Sequence, residues 1–314
     1  MADVKKIATR EAYGNALCAL APKYDFVVLD ADLAAATKTG IFKKQYPERF
    51  FDCGIAEGNM MSVAAGIAST GKPVFASSFA MFASGRAFEQ VRNSIGYPGL
   101  NVKIGATHGG ISVGEDGATH QCNEDFATMR SIPGMVIINP CDGVEATAAV
   151  EAALLHQGPV YMRFGRYALP IINGEDYKFE LGKGVLMADG TDVTLVGTGF
   201  MVSVCLDARE LLAKEGISAR VINIHTIKPI DKDILVKAAK ETGALVTAEE
   251  HTIMGGLGSA VAEVLVENHP APMARVGVED TFGRSGTVPA LMEYYGLTAE
   301  NIAKKAKEVI ARKK

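Results

Sequence analysis

Short apolar runs alternate along this chain with longer stretches whose apolar positions recur every three or four residues. In the first half the runs are 26–29, 73–76, 101–106, 135–139 and 159–163. They are too short for stable helices and are bounded by turn residues, so they are expected as buried parallel strands. Between them, residues 5–20, the small-residue stretch after Met60, the segment SSFAMFASGRAFEQVRNSI, 125–131 and 144–155 carry helical spacing. From 171 to 190 the periodicity lapses amid turn signals, which predicts a linker with at most a short edge strand. A second alternation follows, with strands at 193–197, 218–223, 243–247 and 274–278. Its helices are expected at 201–215, 231–242, from 258 to about 266, 287–295 and 299–310. The pattern predicts an α/β protein of two consecutive three-layer domains: residues 1–175, a linker at 176–190, and residues 191–314.

Composition narrows the class. The 314 residues are 48% hydrophobic with 33 glycines and 12 prolines, as in an ordinary globular α/β chain rather than a disordered or collagenous one. The net charge of −4 comes from interspersed groups, so no basic surface is offered to nucleic acid. No apolar run approaches the roughly 20 residues that span a bilayer, and the N-terminus lacks a signal peptide's apolar core. Cys18, Cys53, Cys122, Cys141 and Cys205 have no short metal-ligand spacing, and their odd number argues against a fully paired disulfide framework. A reducing, cytoplasmic compartment is expected.

Chemistry concentrates in residues 105–121, GATHGGISVGEDGATHQ, which hold His108, His120, Glu115 and Asp116 among five glycines. The glycines forbid a regular helix, so these groups belong on a loop leaving a strand. Loops at the carboxyl ends of parallel strands are where α/β folds place ligands; a glycine-rich loop with merely structural polar groups is the competing reading. Glu57 is the only charged residue between Asp52 and Lys72. If buried there it needs a partner or must take up a proton, which would suit it to proton transfer. Otherwise it is an exposed glutamate in a first helical turn. Asp32 closes the strand at 26–29, as a site residue or a cap of the next turn. Phe79 and Phe82 stand three apart on a predicted helix, either core or a flat face for a heteroaromatic ring. Arg163 and Arg166 flank Gly165 as an anion clamp or as surface ion pairs. The GGLG run after Glu249, Glu250 and His251 is a tight turn into a helix, not a dinucleotide fingerprint, and no HExxH or GxSxG motif occurs.

Taken together, GIAEGNM, the Phe79/Phe82 segment, GEDGATHQ, YMRFGRYALP, TAEEHTIMGGLGSAVAE and VEDTFGRSG resemble transketolase, in order and over essentially the whole chain. The resemblance is to the C-terminal portion, made as a separate subunit: a pyrimidine-binding domain followed by the C-terminal domain. It implies thiamine diphosphate as cofactor, shared with a partner chain, and transfer of a two-carbon ketol unit between ketose and aldose phosphates. Glu57 then matches the glutamate that hydrogen-bonds the aminopyrimidine, and Phe79 and Phe82 match the aromatics stacked on that ring. Asp32 matches an aspartate near the cofactor, and His120 a histidine assisting proton transfer. Asp116 and His108 match residues that read the sugar, while Arg10 and Arg166 match arginines that hold its phosphate. The glycine-aspartate-glycine metal and diphosphate motif is absent, with the domain that carries it. Mg2+ or Ca2+ is therefore expected on an N-terminal transketolase subunit, with which this chain would form an α2β2 heterotetramer besides associating with itself.

Two departures bear on substrate. Residues 31–36 read ADLAAA where the family has a hydroxyl near position 36 to help hold phosphate, and Gly58 stands where many relatives have histidine or glutamine. The β subunit of a 2-oxoacid dehydrogenase's decarboxylating component shares the length, the domain order and the glutamate, but usually lacks the GEDGxTH pairing. A deoxyxylulose-phosphate synthase-like enzyme shares the loop, but is normally one long chain. A scaffold subunit without catalysis is the remaining alternative, opposed by intact Glu57, Asp116 and His120.

Overall fold

The structure, a computed structural model, describes residues 5–174 and 176–313; the boundary expected at 175 lies outside them. In the first domain the strands are β1 Lys6–Ala8, β2 Val27–Asp30, β3 Phe50–Asp52, β4 Val74–Phe79, β5 Val102–Thr107, β6 Val136–Ile138, β7 Val160–Phe164 and β8 Ala168–Pro170. The second domain contributes β9 Val185–Ala188, β10 Val193–Gly197, β11 Ala219–Asn223, β12 Thr226–Lys228, β13 Leu245–Thr252 and β14 Met273–Val278. The larger sheet has the order β12-β6-β7-β5-β4-β2-β3, and the smaller β14-β13-β10-β11-β9; β1 and β8 form an antiparallel pair.

Both faces of each large sheet are covered. Along β2, Leu29 packs into one core with Met60, Ile104 and Ile137, while Val28 points to the other with Tyr13, Phe75 and Val150. In the smaller sheet Leu195 and Val196 face opposite cores in the same way. This period of two explains why the strands read as continuous apolar runs. Two α/β domains, each a sheet between helical layers, are thus what the hydrophobic pattern anticipated. Among the described residues no helix is long and apolar enough to cross a membrane.

Three features depart from the sequence reading. β4 continues through Ser77 and Ser78 to Phe79, so Phe79 ends a strand and only Phe82 lies on the following helix. The serines look like loop residues, but Ser77 is buried against the Tyr13 hydroxyl at 2.7 Å, which satisfies it inside the sheet. β13 likewise runs on through Glu249, Glu250 and His251, all buried. The second domain is also not self-contained: β12 pairs antiparallel with β6 and covers that edge of the first domain's sheet. This three-residue strand, TIK, is not set in a longer apolar run and so is not seen in the sequence.

Polar groups buried between the domains join them. The Arg163 guanidinium donates to the carbonyls of Cys122 (2.8 Å) and Glu250 (2.9 Å), and its Nε lies 3.1 Å from Asp125 Oδ2. Asp125 also accepts from the Tyr161 hydroxyl at 2.8 Å. Arg163 is therefore a buried tie between β7 and β13, not half of an anion clamp. Glu249 accepts from the backbone N–H of Leu257 (2.6 Å) and Gly258 (2.8 Å), holding the first turn of the helix Leu257–Asn268. The GGLG run is accordingly a turn into a helix, as expected. Replacing Arg163 with Met should lower stability by about 3–5 kcal/mol, because Asp125 and Glu250 are left buried without their cation. Urea unfolding would show it, and a loss within experimental error would mean the guanidinium is dispensable.

Candidate active site

The carboxyl ends of β2, β4, β5 and β7 lie along one edge of the large sheet, and the loops that leave them converge. The strand order reverses at β2, whose neighbours are β3 and β4, so a crevice opens outside the strand ends there. At the end of β2 the buried Asp30 accepts from Leu33 N–H (2.6 Å), Thr37 Oγ1 (2.7 Å) and Thr39 Oγ1 (2.8 Å). Burial raises its proton affinity, and these three donors work against that shift. Asp30, not Asp32, organises the turn. Asp32 is exposed with a left-handed backbone (φ 60°), held through its N–H by Asp52 Oδ1 at 3.1 Å. Its side chain makes no hydrogen bond to the other candidates among the described residues.

Phe79 and Phe82 stack with ring centroids 5.8 Å apart and planes within 12°. The segment Met81–Arg86 that carries Phe82 is wound as a π-helix, a local widening frequent at functional sites. His108 extends the platform, its imidazole 3.8 Å from the Phe79 ring. It is a non-glycine residue at φ 58°, and its buried ring is held at both nitrogens. Arg10 Nη1 lies 2.9 Å from Nε2, and Thr107 Oγ1 lies 2.8 Å from Nδ1. A guanidinium can only donate, so Nε2 accepts and the proton sits on Nδ1, which donates to Thr107. Burial, reinforced by Arg10 and Arg166, drops the imidazole's proton affinity to about 3, so His108 is neutral near pH 7. His120 stands edge-on to Phe82 (5.5 Å) and Phe79 (6.2 Å), with Nδ1 2.9 Å from Thr119 Oγ1.

Beside the platform, Arg10 Nη1 also donates to the Ala36 carbonyl at 2.8 Å. Arg166 donates to the Val113 carbonyl (2.8 Å) and lies 3.3 Å from Asp116 Oδ2. Both arginines line a cavity of about 420 Å³ with Ser112, Glu115, Tyr167 and Thr287, so the second domain forms one wall. Burial and the neighbouring Arg166 lower the Arg10 proton affinity, as expected for two cations facing one space. The loop carrying Asp116 is set by its glycines. Gly110 has φ 84°, and a Cβ there would meet the Glu250 carboxylate. Gln121 Nε2 ties the loop to the second domain through the Arg284 carbonyl at 3.0 Å.

Glu57 opens the helix Glu57–Ala68 and is only 1% exposed, which removes the reading of a solvated first-turn glutamate. Its Oε2 accepts from Arg86 Nη1 at 2.8 Å, and the Arg86 guanidinium carbon lies 4.5 Å from the Phe82 ring centroid. Contacts thus run from Glu57 through Arg86 and Phe82 to His120, Phe79, His108 and Arg10. Arg166 and Asp116 sit across the same opening; of the sequence candidates Asp32 and Arg163 stay apart. Arg86 and Thr107 were missed. The signal for Arg86 was its position four residues after Phe82, where a helix brings a cation over a ring; Thr107 had none. The site offers a flat aromatic face beside a buried carboxylate, suited to a planar heterocycle with a polar ring nitrogen. It also offers two guanidiniums suited to an anion. Among the described residues no group of three metal-ligating side chains comes together.

The transketolase pyrimidine-binding domain family matches residues 5–171, and the transketolase C-terminal domain family matches residues 182–302. A Methanocaldococcus jannaschii protein named "Putative transketolase C-terminal section" is 51% identical over 303 residues, 95% of each chain. A 6-deoxy-6-sulfo-D-fructose transketolase subunit from Clostridium sp. is 47% identical, over 97% of this chain and 95% of that one. A solved structure named "Split gene transketolase, inactive beta4 tetramer" superposes with a TM-score of 0.91 at 50% identity, covering 99% of this chain and 100% of that one. With both domains matched and relatives alike over nearly their full length, the chain belongs to the transketolase family.

Proposed function

We propose that this chain is the pyrimidine-binding and C-terminal subunit of a thiamine-diphosphate-dependent transketolase, moving a two-carbon ketol unit between ketose and aldose phosphates. The observation that carries the reading is the buried Glu57 carboxylate beside the Phe79–Phe82 stack. A carboxylate out of water next to a flat apolar face fits an aminopyrimidine, whose ring packs on the aromatics while a ring nitrogen meets the acid. When bound, thiamine diphosphate supplies the electron sink that allows a ketose carbon–carbon bond to break.

The chain's own residues have separable tasks. Phe79 and Phe82 hold the ring flat, and Glu57 holds a proton at its nitrogen. His120, beside both aromatics, handles protons at substrate oxygens. Neutral His108 and Asp116 read the sugar's hydroxyls, and Arg10 and Arg166 take its anionic end. Asp32, exposed at the strand end, faces cofactor from the rim. The second domain helps exclude water by walling the cavity behind Arg166.

Diphosphate and its Mg2+ or Ca2+ are assigned to an N-terminal partner subunit in an α2β2 assembly that also contains contacts between copies of this chain. The name of the structural relative, an inactive four-copy form, supports the need for a second chain. The free cysteines are in keeping with a cytoplasmic location. Relatives named for 6-deoxy-6-sulfo-D-fructose and for apulose 4-phosphate suggest that the pair of domains accepts unusual sugars. In this chain the Ala36 side chain offers no hydroxyl, and its carbonyl instead orients Arg10, so anion recognition falls on two guanidiniums.

Three outcomes are expected. Mixed with its partner, thiamine diphosphate and Mg2+, the chain should transfer two carbons from xylulose 5-phosphate to ribose 5-phosphate. A formed complex without turnover would sink the assignment, and pyruvate decarboxylation with an artificial electron acceptor would favour the 2-oxoacid dehydrogenase reading. Glu57→Gln should lower kcat by roughly a hundredfold or more with unchanged far-ultraviolet circular dichroism; retained rates would remove its role. Arg166→Met should raise KM for phosphorylated donors roughly ten- to hundredfold, while KM for an unphosphorylated ketose stays put. Equal effects on both would show that the residue does not read the anion.

A further inference from the structure

The Arg86 side chain touches both groups assigned to the aminopyrimidine. Its Nη1 is 2.8 Å from Glu57 Oε2, and its guanidinium carbon sits 4.5 Å from the Phe82 centroid. The two partners differ sharply in environment: the Glu57 side chain is 2% exposed and that of Arg86 is 53% exposed. No other hydrogen-bond donor or cation pairs with the Glu57 carboxylate among the described residues. The charged groups on elements packed against its helix are engaged elsewhere. Glu89 accepts from Gln90 and Asn93, Arg92 donates to Asn93, and Asp30 is held by Thr37, Thr39 and Leu33 N–H. Lys103 donates to the His156 and Gly158 carbonyls. Arg86 is therefore the one cation that answers this buried charge among the described residues.

We propose that Arg86 is a positioning residue that keeps Glu57 ionised and therefore an acceptor only, so that the site takes the aminopyrimidine with a proton on its ring nitrogen. This rests on the reading of Glu57 as the pyrimidine's partner and deepens it. An ionised carboxylate has no proton to donate, so a hydrogen bond to a ring nitrogen forms only if that nitrogen carries one. The proton comes from solvent, one for each cofactor bound. Without Arg86 the buried Glu57 carboxyl loses its counterion and takes up a proton itself. It then donates that proton to an unprotonated ring nitrogen, and binding draws nothing from solvent. Proton count balances in both cases; what Arg86 decides is whether the shared proton arrives with the binding event or is already on the protein.

Two measurements test this. On the chain alone, infrared difference spectra of Arg86→Gln against the natural protein should show a gained protonated-carboxyl band that is lost again in Arg86→Gln/Glu57→Gln. Arg86→Lys should not show it. In the assembled enzyme, calorimetric titration with thiamine diphosphate and Mg2+ in buffers of different ionisation enthalpy should report about one more proton taken up by the natural and Arg86→Lys forms than by Arg86→Gln. The comparison between Lys and Gln variants separates the role from a folding defect, since loss of packing alone moves neither readout. Equal uptake in all three forms, or no new band in Arg86→Gln, overturns the role of Arg86 while leaving Glu57 assigned. Cofactor binding that is indifferent to Glu57→Gln overturns the assignment of Glu57 instead.

Discussion

A buried guanidinium, together with the β12–β6 pairing and the Gln121–Arg284 contact, ties the two domains to each other. Arg163 has almost no water to fall back on, so its donors must find carbonyls and a carboxylate from both domains. Satisfying it places β13 over the end of β7 and brings the Glu250 carboxylate against the loop that carries Asp116. Both domains wall the cavity behind Arg10 and Arg166. An apolar side chain at 163 would leave Asp125 and Glu250 buried without their cation and would not specify which backbone carbonyls meet across the boundary.

The same logic governs the site. Buried ionisable groups at the sheet's edge are answered by polar partners that fix their direction. Arg10 holds His108 in a single neutral tautomer, Thr37 and Thr39 hold Asp30 in the turn, and Arg86 answers Glu57. A neutral His108 stacked on Phe79 adds no further cation beside Arg10 and Arg166. Membership of the transketolase family accounts for the order of the domains and the loop at 105–121.

Much of the fold was legible because strand and helix periodicities are local. The runs at 193–197 and 299–310 appear as β10 Val193–Gly197 and the helix Ala299–Ile310 without change of bounds. Boundaries failed where polar residues are buried by distant partners. β4 runs through Ser77 and Ser78, and β13 through Glu249, Glu250 and His251. The three-residue strands β1, β3, β8 and β12 were not seen in the sequence, whereas β6, equally short, was found because it lies in a longer apolar run.

By itself the sequence determined the class of fold and the succession of two domains, which are written in spacing and residue type, while the groups at 57, 79, 82, 105–121 and 166 were joined only by the family resemblance. It left Glu57 open between solvent and interior, and Arg163 open between an anion clamp and surface ion pairs. Only the tertiary structure decided these, because each turns on which segments lie side by side. Glu57 meets Arg86 across 29 residues and Arg10 meets His108 across 98. Burial and the partner of a charge are properties of packed strands and helices, and no local pattern encodes them.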